Sequence, residues 1–148
     1  MRLLIQRVTR AEVRVEASLV GSIGPGLVIL VGVGHGDSNA NASALANKAV
    51  DLRIFRDGEG KTNRSLIDVD GEVLAISQFT LFADTGKGRR PSFLDAAAPE
   101  VGNAIYEKFC SSVEERGVRL ARGIFGAEMQ VELVNDGPMT IWLDSAGV

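Results

Sequence analysis

Cysteine and histidine are almost missing from this chain: its 148 residues include one of each, Cys110 and His35. A lone cysteine forms no intrachain disulfide, and a reducing cytoplasm is the expected compartment. One cysteine and one histidine do not make a dedicated zinc site, and the Asp68/Asp70 pair is too sparse for a metal cluster. His35 sits in the turn Gly34-His35-Gly36-Asp37. Nothing in the sequence brings it to a hydroxyl nucleophile, so a Ser-His-Asp triad is disfavoured. Long apolar runs are also lacking. The longest, Gly26 to Gly34, falls far below the ~20 residues that span a bilayer. The opening Met1-Arg2-Leu3-Leu4-Ile5-Gln6-Arg7 turns polar too soon for a signal peptide. Charge of one sign is scarce too: sixteen basic against nineteen acidic residues leave a net −3. That argues against a protein coated in phosphate-binding charge but leaves room for a local basic patch. Gly32-Val33-Gly34-His35-Gly36 lacks the Lys-Ser/Thr ending of a Walker loop, so no nucleotide cofactor is expected, nor any other.

What is present reads as one domain, residues 1–148, at 45% hydrophobic and 24% charged. A chain of this size buries roughly two-thirds of its unfolded surface and needs no metal or disulfide to hold a core. Met1 to Val8 predicts an opening strand, and the alternating Glu12-Val13-Arg14-Val15-Glu16 a half-exposed one with Leu19 to Ile23 as its hairpin partner. Leu27 to Val33 is a continuous β-branched run, the pattern of a strand buried on both faces. Asp37 or Ser38 caps a helix through Leu52, with Ala42, Leu45, Ala46, Ala49 and Leu52 inward. Arg53 to Phe55 predicts a short strand and Glu72 to Leu81 a long one. A second helix runs from Pro99 to Gly117 on the stripe Val101, Ile105, Phe109 and Val113, and Val118–Ala121, Met129–Val134 and Met139–Leu143 close the fold as strands. The class is α+β: two helices packed on a mainly antiparallel, barrel-like sheet.

Two short segments resist explanation by packing alone. Ser77-Gln78-Phe79-Thr80-Leu81 places hydroxyl and amide groups inside an apolar run. On a strand, Gln78 and Thr80 share one face, which is either simply a polar face of the sheet or the lining of a cleft. If the strand ends there, the N–H groups around Phe79 and Thr80 lose their ladder partners and become donors able to stabilise an oxyanion. Asn135-Asp136-Gly137-Pro138-Met139-Thr140 is strong turn chemistry. Because proline lacks an N–H, the segment also offers carbonyl oxygens with few internal donors. Lys87, Arg89 and Arg90 follow the first motif in a glycine-rich loop. They form either a solvated face or a contact for RNA phosphates, which Arg64, Arg116, Arg119 and Arg122 would extend.

These blocks resemble the D-aminoacyl-tRNA deacylases of the D-tyrosyl-tRNA deacylase type. Arg2 to Val8, Leu52-Arg53-Ile54-Phe55, Ser77 to Leu81, Arg90-Pro91-Ser92-Phe93 and Asn135 to Thr140 match family blocks in the expected order. The resemblance implies the D-tyrosyl-tRNA deacylase-like fold, a homodimer, and an aminoacyl-tRNA substrate cleaved at the ester to its 3′-terminal adenosine. It implies that Gly137-Pro138 is cis and enters the partner's active site, its carbonyls binding the substrate α-amino group. Met139 and Thr140 flank it, and D-aminoacyl or glycyl groups are admitted while L side chains clash. It further implies main-chain donors near Phe79 and Thr80, with the ribose 2′-OH assisting water. Ser77 and Gln78 orient the pocket, Thr80 positions substrate or water, and Arg7 locks the Gly-Pro segment. Two departures stand out: Met139 replaces the usual valine, and Arg89 stands where an uncharged residue is expected.

Two alternatives stay open at this point. One is a small-molecule esterase with Thr80 or Ser77 as nucleophile. The other is a non-catalytic tRNA- or replication-associated binding module of the same fold.

Overall fold

The computed structural model describes residues 1–147. Its spine is β1 (Arg2–Val15), a single strand where the sequence predicts two. Leu3, Ile5, Val8, Ala11 and Val13 along it are all buried. One edge of β1 pairs antiparallel with β2 (Ser18–Ile23) and, nearer its start, with β3 (Gly26–Gly32). The other edge pairs over nearly its whole length with β8 (Gln130–Asp144). Glu16 and Ala17, both at positive φ, form the β1–β2 turn.

Beyond β3 the sheet becomes parallel. β3 pairs with β6 (Glu72–Ser77), and β6 with β7 (Leu120–Arg122). Parallel neighbours need crossover connections, and the two helices supply them: α1 (Asn39–Asp51) between β3 and β6, α2 (Pro99–Glu115) between β6 and β7. The sheet is therefore mixed, and β2 curls over to touch β7, leaving a nearly closed barrel. Ser38 caps α1 in a capping box with Asn41. The helices meet at Ser43 Oγ and Ser112 Oγ, 3.0 Å apart. The larger core lies between helices and sheet, on Leu3, Ile5, Leu27, Ile29, Leu45 and Phe109. A smaller one, on Val13, Val28, Leu74 and Ile76, fills the inside of the curl. β3 is buried on both faces because it serves both.

Four local expectations need correction. Val101 is exposed, so the α2 stripe begins at Ile105. The short strand predicted at Arg53 to Phe55 is β4 (Phe55–Arg56), paired with an unforeseen β5 (Thr62–Arg64) around the polar turn. β6 stops at Ser77, and Phe79–Phe82 winds into a 3-10 turn. Met129–Val134 and Met139–Leu143 are not separate strands but parts of β8. Gln6 faces Thr140 and Val8 faces Asn135, so residues 136–139 bulge out opposite Arg7 alone. No helix among the described residues is long and apolar enough to cross a membrane.

Candidate functional site

The first motif sits where β6 ends. The Gln78 N–H still donates to the Val31 carbonyl at 2.7 Å, as a ladder would. The chain then leaves the sheet, because Phe79–Phe82 turns helically, with Leu81 N–H on Gln78 O (3.3 Å) and Ala83 N–H on Thr80 O (3.0 Å). The predicted alternation of faces therefore fails at Phe79. Among the described residues, neither the Phe79 nor the Thr80 N–H has an acceptor. A 3-10 turn leaves its first N–H groups unpaired, and here no side chain caps them.

Phe79 lies at the rim of a groove of about 690 Å³, and Thr80 follows it directly in the chain. Val31, Ile76, Tyr106, Met129 and Val131 give it apolar walls, and Ser77, Gln78 and Phe79 border one side. Phe93 and Leu94 border another, with the Phe93 ring edge-on to Phe79 at 5.0 Å. Phe79 is 57% and Leu94 83% exposed, an apolar rim open to a covering partner. His35 reaches the same groove, which the sequence did not reveal; its Nε2 lies 2.8 Å from the Leu94 carbonyl.

The side chains offer no activated nucleophile. The Gln78 amide donates to the Thr80 hydroxyl, and among the described residues no His, Asp, Glu or Lys side chain bonds that hydroxyl as a base would. The Tyr106 hydroxyl donates to the Ala75 carbonyl at 3.0 Å, and burial raises its pKa, so it serves as a prop for β6. Burial likewise pushes the Cys110 thiol up to about 11, which makes it inert. Among the described residues, no cluster of three or more His, Cys, Asp or Glu side chains could hold a metal. What the site can supply is main-chain N–H donors, an amide and a hydroxyl at the edge of an apolar groove.

The second motif is built differently. Gly137-Pro138 is a cis peptide, and both residues are exposed. Gly137 has φ +128, and a Cβ there would lie 2.9 Å from Arg7 Nη2 and 3.1 Å from the Met139 nitrogen. Only glycine fits that backbone. Arg7, 3% exposed, holds the bulge from below. Its Nε donates to the Asp136 carbonyl (3.1 Å) and pairs with the Asp136 carboxylate (3.2 Å), while Nη1 donates to Ile54 O. Asn135, which the sequence suggested only as turn chemistry, closes the base of the bulge. Its Oδ1 accepts the Met139 N–H and its Nδ2 donates to the Thr140 hydroxyl, both at 2.9 Å. Gln6 donates to that hydroxyl as well, at 3.3 Å. Thr140 is thus tied into its own strand, and Met139 packs against the larger core.

The two motifs do not meet within one chain. Ser77 pairs with Val31, Val31 with Leu3 and Leu3 with Leu143, and the bulge lies four positions further along β1. Three strand spacings and four residues of rise separate them by about 20 Å measured along the curled sheet.

Lys87, Arg89 and Arg90 project from a loop closed by the Asp84–Ser92 backbone pair, and none has an ion-pair partner among the described residues. The residues offered as extensions of that patch are engaged elsewhere. Arg116 pairs with Asp51, Arg119 with Glu72, and Arg122 with Glu107 and Glu114. Arg64 donates to the Asp68 carbonyl.

The family model described as D-Tyr-tRNA(Tyr) deacylase matches residues 4–144. A D-aminoacyl-tRNA deacylase of Roseiflexus castenholzii is 56% identical over 146 residues, spanning 99% of this chain and 93% of that protein. One of Thermomicrobium roseum is also 56% identical, over 99% and 95%. A solved structure described as a c-Myc DNA unwinding element binding protein superposes with a TM-score of 0.90 at 36% identity, covering 97% of this chain and 98% of that one.

Proposed function

The chain belongs to the D-Tyr-tRNA(Tyr) deacylase family, hydrolases acting on aminoacyl-tRNA, and on that premise we propose how it cleaves D-aminoacyl-tRNA. The ester carbonyl oxygen is held by the Phe79 and Thr80 N–H groups. Water attacks with help from the substrate's own ribose 2′-OH, releasing a free amino acid and tRNA. The observation that carries this is the pair of unpartnered N–H donors at the edge of an apolar groove that has no nucleophile–base pair. Fixed donors of this kind contribute on the order of 10²–10³ in rate each. Ser77 and Gln78 orient the rim, and Gln78 fixes the Thr80 hydroxyl against the substrate or the water.

Chiral selection comes from the second motif of a partner subunit. The carbonyls around Gly137-Pro138 accept the substrate ammonium, the exposed bulge walls off an L side chain, and Arg7 holds the bulge in place. Two features support an arrangement in trans. The motifs stand about 20 Å apart along the sheet of one chain, and the second edge of β8 pairs with no strand among the described residues, with Trp142 48% and Val134 41% exposed. Such an edge needs a cover. A homodimer provides it and fills the open groove at the same time. Lys87, Arg89 and Arg90 meet the tRNA phosphates beside the groove. One domain, residues 1–148, carries the activity in the cytoplasm, where its substrate is made.

The test is hydrolysis of D-Tyr-tRNA and L-Tyr-tRNA side by side at catalytic enzyme concentration. Loss of the D ester with the L ester spared is expected. RNA binding without ester loss would favour the binding-module alternative. If Thr80→Ala abolished turnover and the wild type formed an acyl-enzyme, the nucleophile alternative would replace this one. The dimer is tested by mixing a Gly137→Val chain with a Phe79→Pro chain, each inactive alone. Mixed dimers carry one intact composite site, so activity returns if the motifs act in trans.

A further inference from the structure

The 3-10 turn that presents the Phe79 and Thr80 donors has only four residues and is joined to the chain on either side by Leu81 N–H on Gln78 O and Ala83 N–H on Thr80 O. A segment this short takes its orientation from whatever grips it. One side chain grips it from the far end. Arg2 donates from Nη1 to the Leu81 carbonyl at 2.9 Å and from Nε to the Asp144 carboxylate at 3.2 Å. Its guanidinium carbon stands 4.3 Å from the centre of the Phe82 ring and 5.8 Å from that of Trp142. The Phe82 ring rests in turn on the backbone of Gly34, where a Cβ would come within 2.4 Å of it. Leu81 and Phe82 are thereby fixed to the ends of β1, β3 and β8 together.

We propose that Arg2 is a positioning residue for the deacylation, holding the 3-10 turn so that the Phe79 and Thr80 N–H groups converge on the substrate carbonyl. The inference rests on the assignment of those two groups as the oxyanion donors. A guanidinium suits the task because its planar fork bonds a carbonyl and a carboxylate simultaneously while offering a face to an aromatic ring. Lysine carries the charge but is a point donor and cannot make all three contacts. The Asp144 carboxyl is held below the usual carboxylate range, first by the Ala146 N–H and then by Arg2, so the anchor stays ionised at neutral pH.

The experiment compares wild type, Arg2→Lys and Arg2→Ala for kcat and KM on D-Tyr-tRNA, with urea melts of each. A misplacement of about 1 Å in a reacting geometry costs on the order of 100-fold. Arg2→Lys should therefore fold, lose roughly 10- to 100-fold in kcat, and keep KM within about twofold because the groove is untouched. Methylguanidinium should restore part of the missing kcat to Arg2→Ala in a saturable way. Wild-type kcat in a folded Arg2→Lys overturns the proposal, as does a loss explained fully by the unfolded fraction. A wild type inactive on D-Tyr-tRNA would bring down the underlying reading, whereas an active wild type matched by Arg2→Lys brings down only the role of Arg2.

Discussion

Replacing Arg7 by alanine should cost this protein about 4 kcal/mol, and the structure shows where that comes from. The guanidinium is buried and donates to two carbonyls, those of Asp136 and Ile54. A hydrogen bond from a charged donor contributes ~1.5–3 kcal/mol, and a buried carbonyl left without a donor loses a comparable amount. The Asp136 carboxylate is 37% exposed, so water replaces much of that ion pair and it adds little. Each kcal/mol moves the midpoint of a domain this size by ~2–4 °C, so Tm should fall by roughly 10 °C. Trp142, the sole tryptophan, is half-exposed on the bulged strand and reports urea unfolding directly. The midpoint should fall with the slope unchanged, at one fixed protein concentration because association would contribute. Asp136→Asn is the internal control. It keeps the backbone carbonyl, so its cost should stay below ~1 kcal/mol. A loss for Arg7→Ala no larger than that of Asp136→Asn would refute the assignment of Arg7 as the support of the bulge.

Further outcomes can be checked separately. Gly137→Ala places a Cβ against Arg7 Nη2 at a φ of +128. It should cost about 1–3 kcal/mol in a urea melt and erode the preference for the D ester; an unchanged D/L ratio would detach Gly137 from selection. Cys110 is fully buried with its thiol raised to about 11 from an ordinary 9.0. It should resist iodoacetamide in the native protein at pH 8 and react only after unfolding. Because its folded pKa is raised, the stability it contributes is intact below pH 9 and is lost as the pH climbs toward about 11, a window that alkaline denaturation curves would reveal. Arg89→Ala with Arg90→Ala should weaken tRNA binding and reduce the salt slope by about one for each phosphate no longer neutralised; an identical slope would move the RNA-binding surface elsewhere.

Much of this protein was determined by local sequence. Period-two alternation and the apolar run Leu27–Val33 specified strands, Asp37 or Ser38 marked the start of α1, and the glycine after α2 marked that helix's end. Those signals act over a few residues and survive any tertiary context. The two motifs were also visible, because hydroxyl and amide groups in an apolar run and Gly-Pro beside Asn-Asp are chemically out of place. Tertiary structure decided the rest. Nothing local says that β6 must stop at Ser77. Where it stops, the Phe82 ring packs on Gly34 and the Arg2 guanidinium grips the Leu81 carbonyl, contacts made across some 50 to 80 residues. The Asn-Asp-Gly-Pro signal predicts a turn between strands. A bulge forms instead, because β1 is long enough to pair on both sides of it and Arg7 satisfies the Asp136 carbonyl at its start. His35 and Arg2 gained their places in the same way. A side chain's chemistry is written in the sequence, but its partners are chosen by packing, and packing is a property of the whole chain.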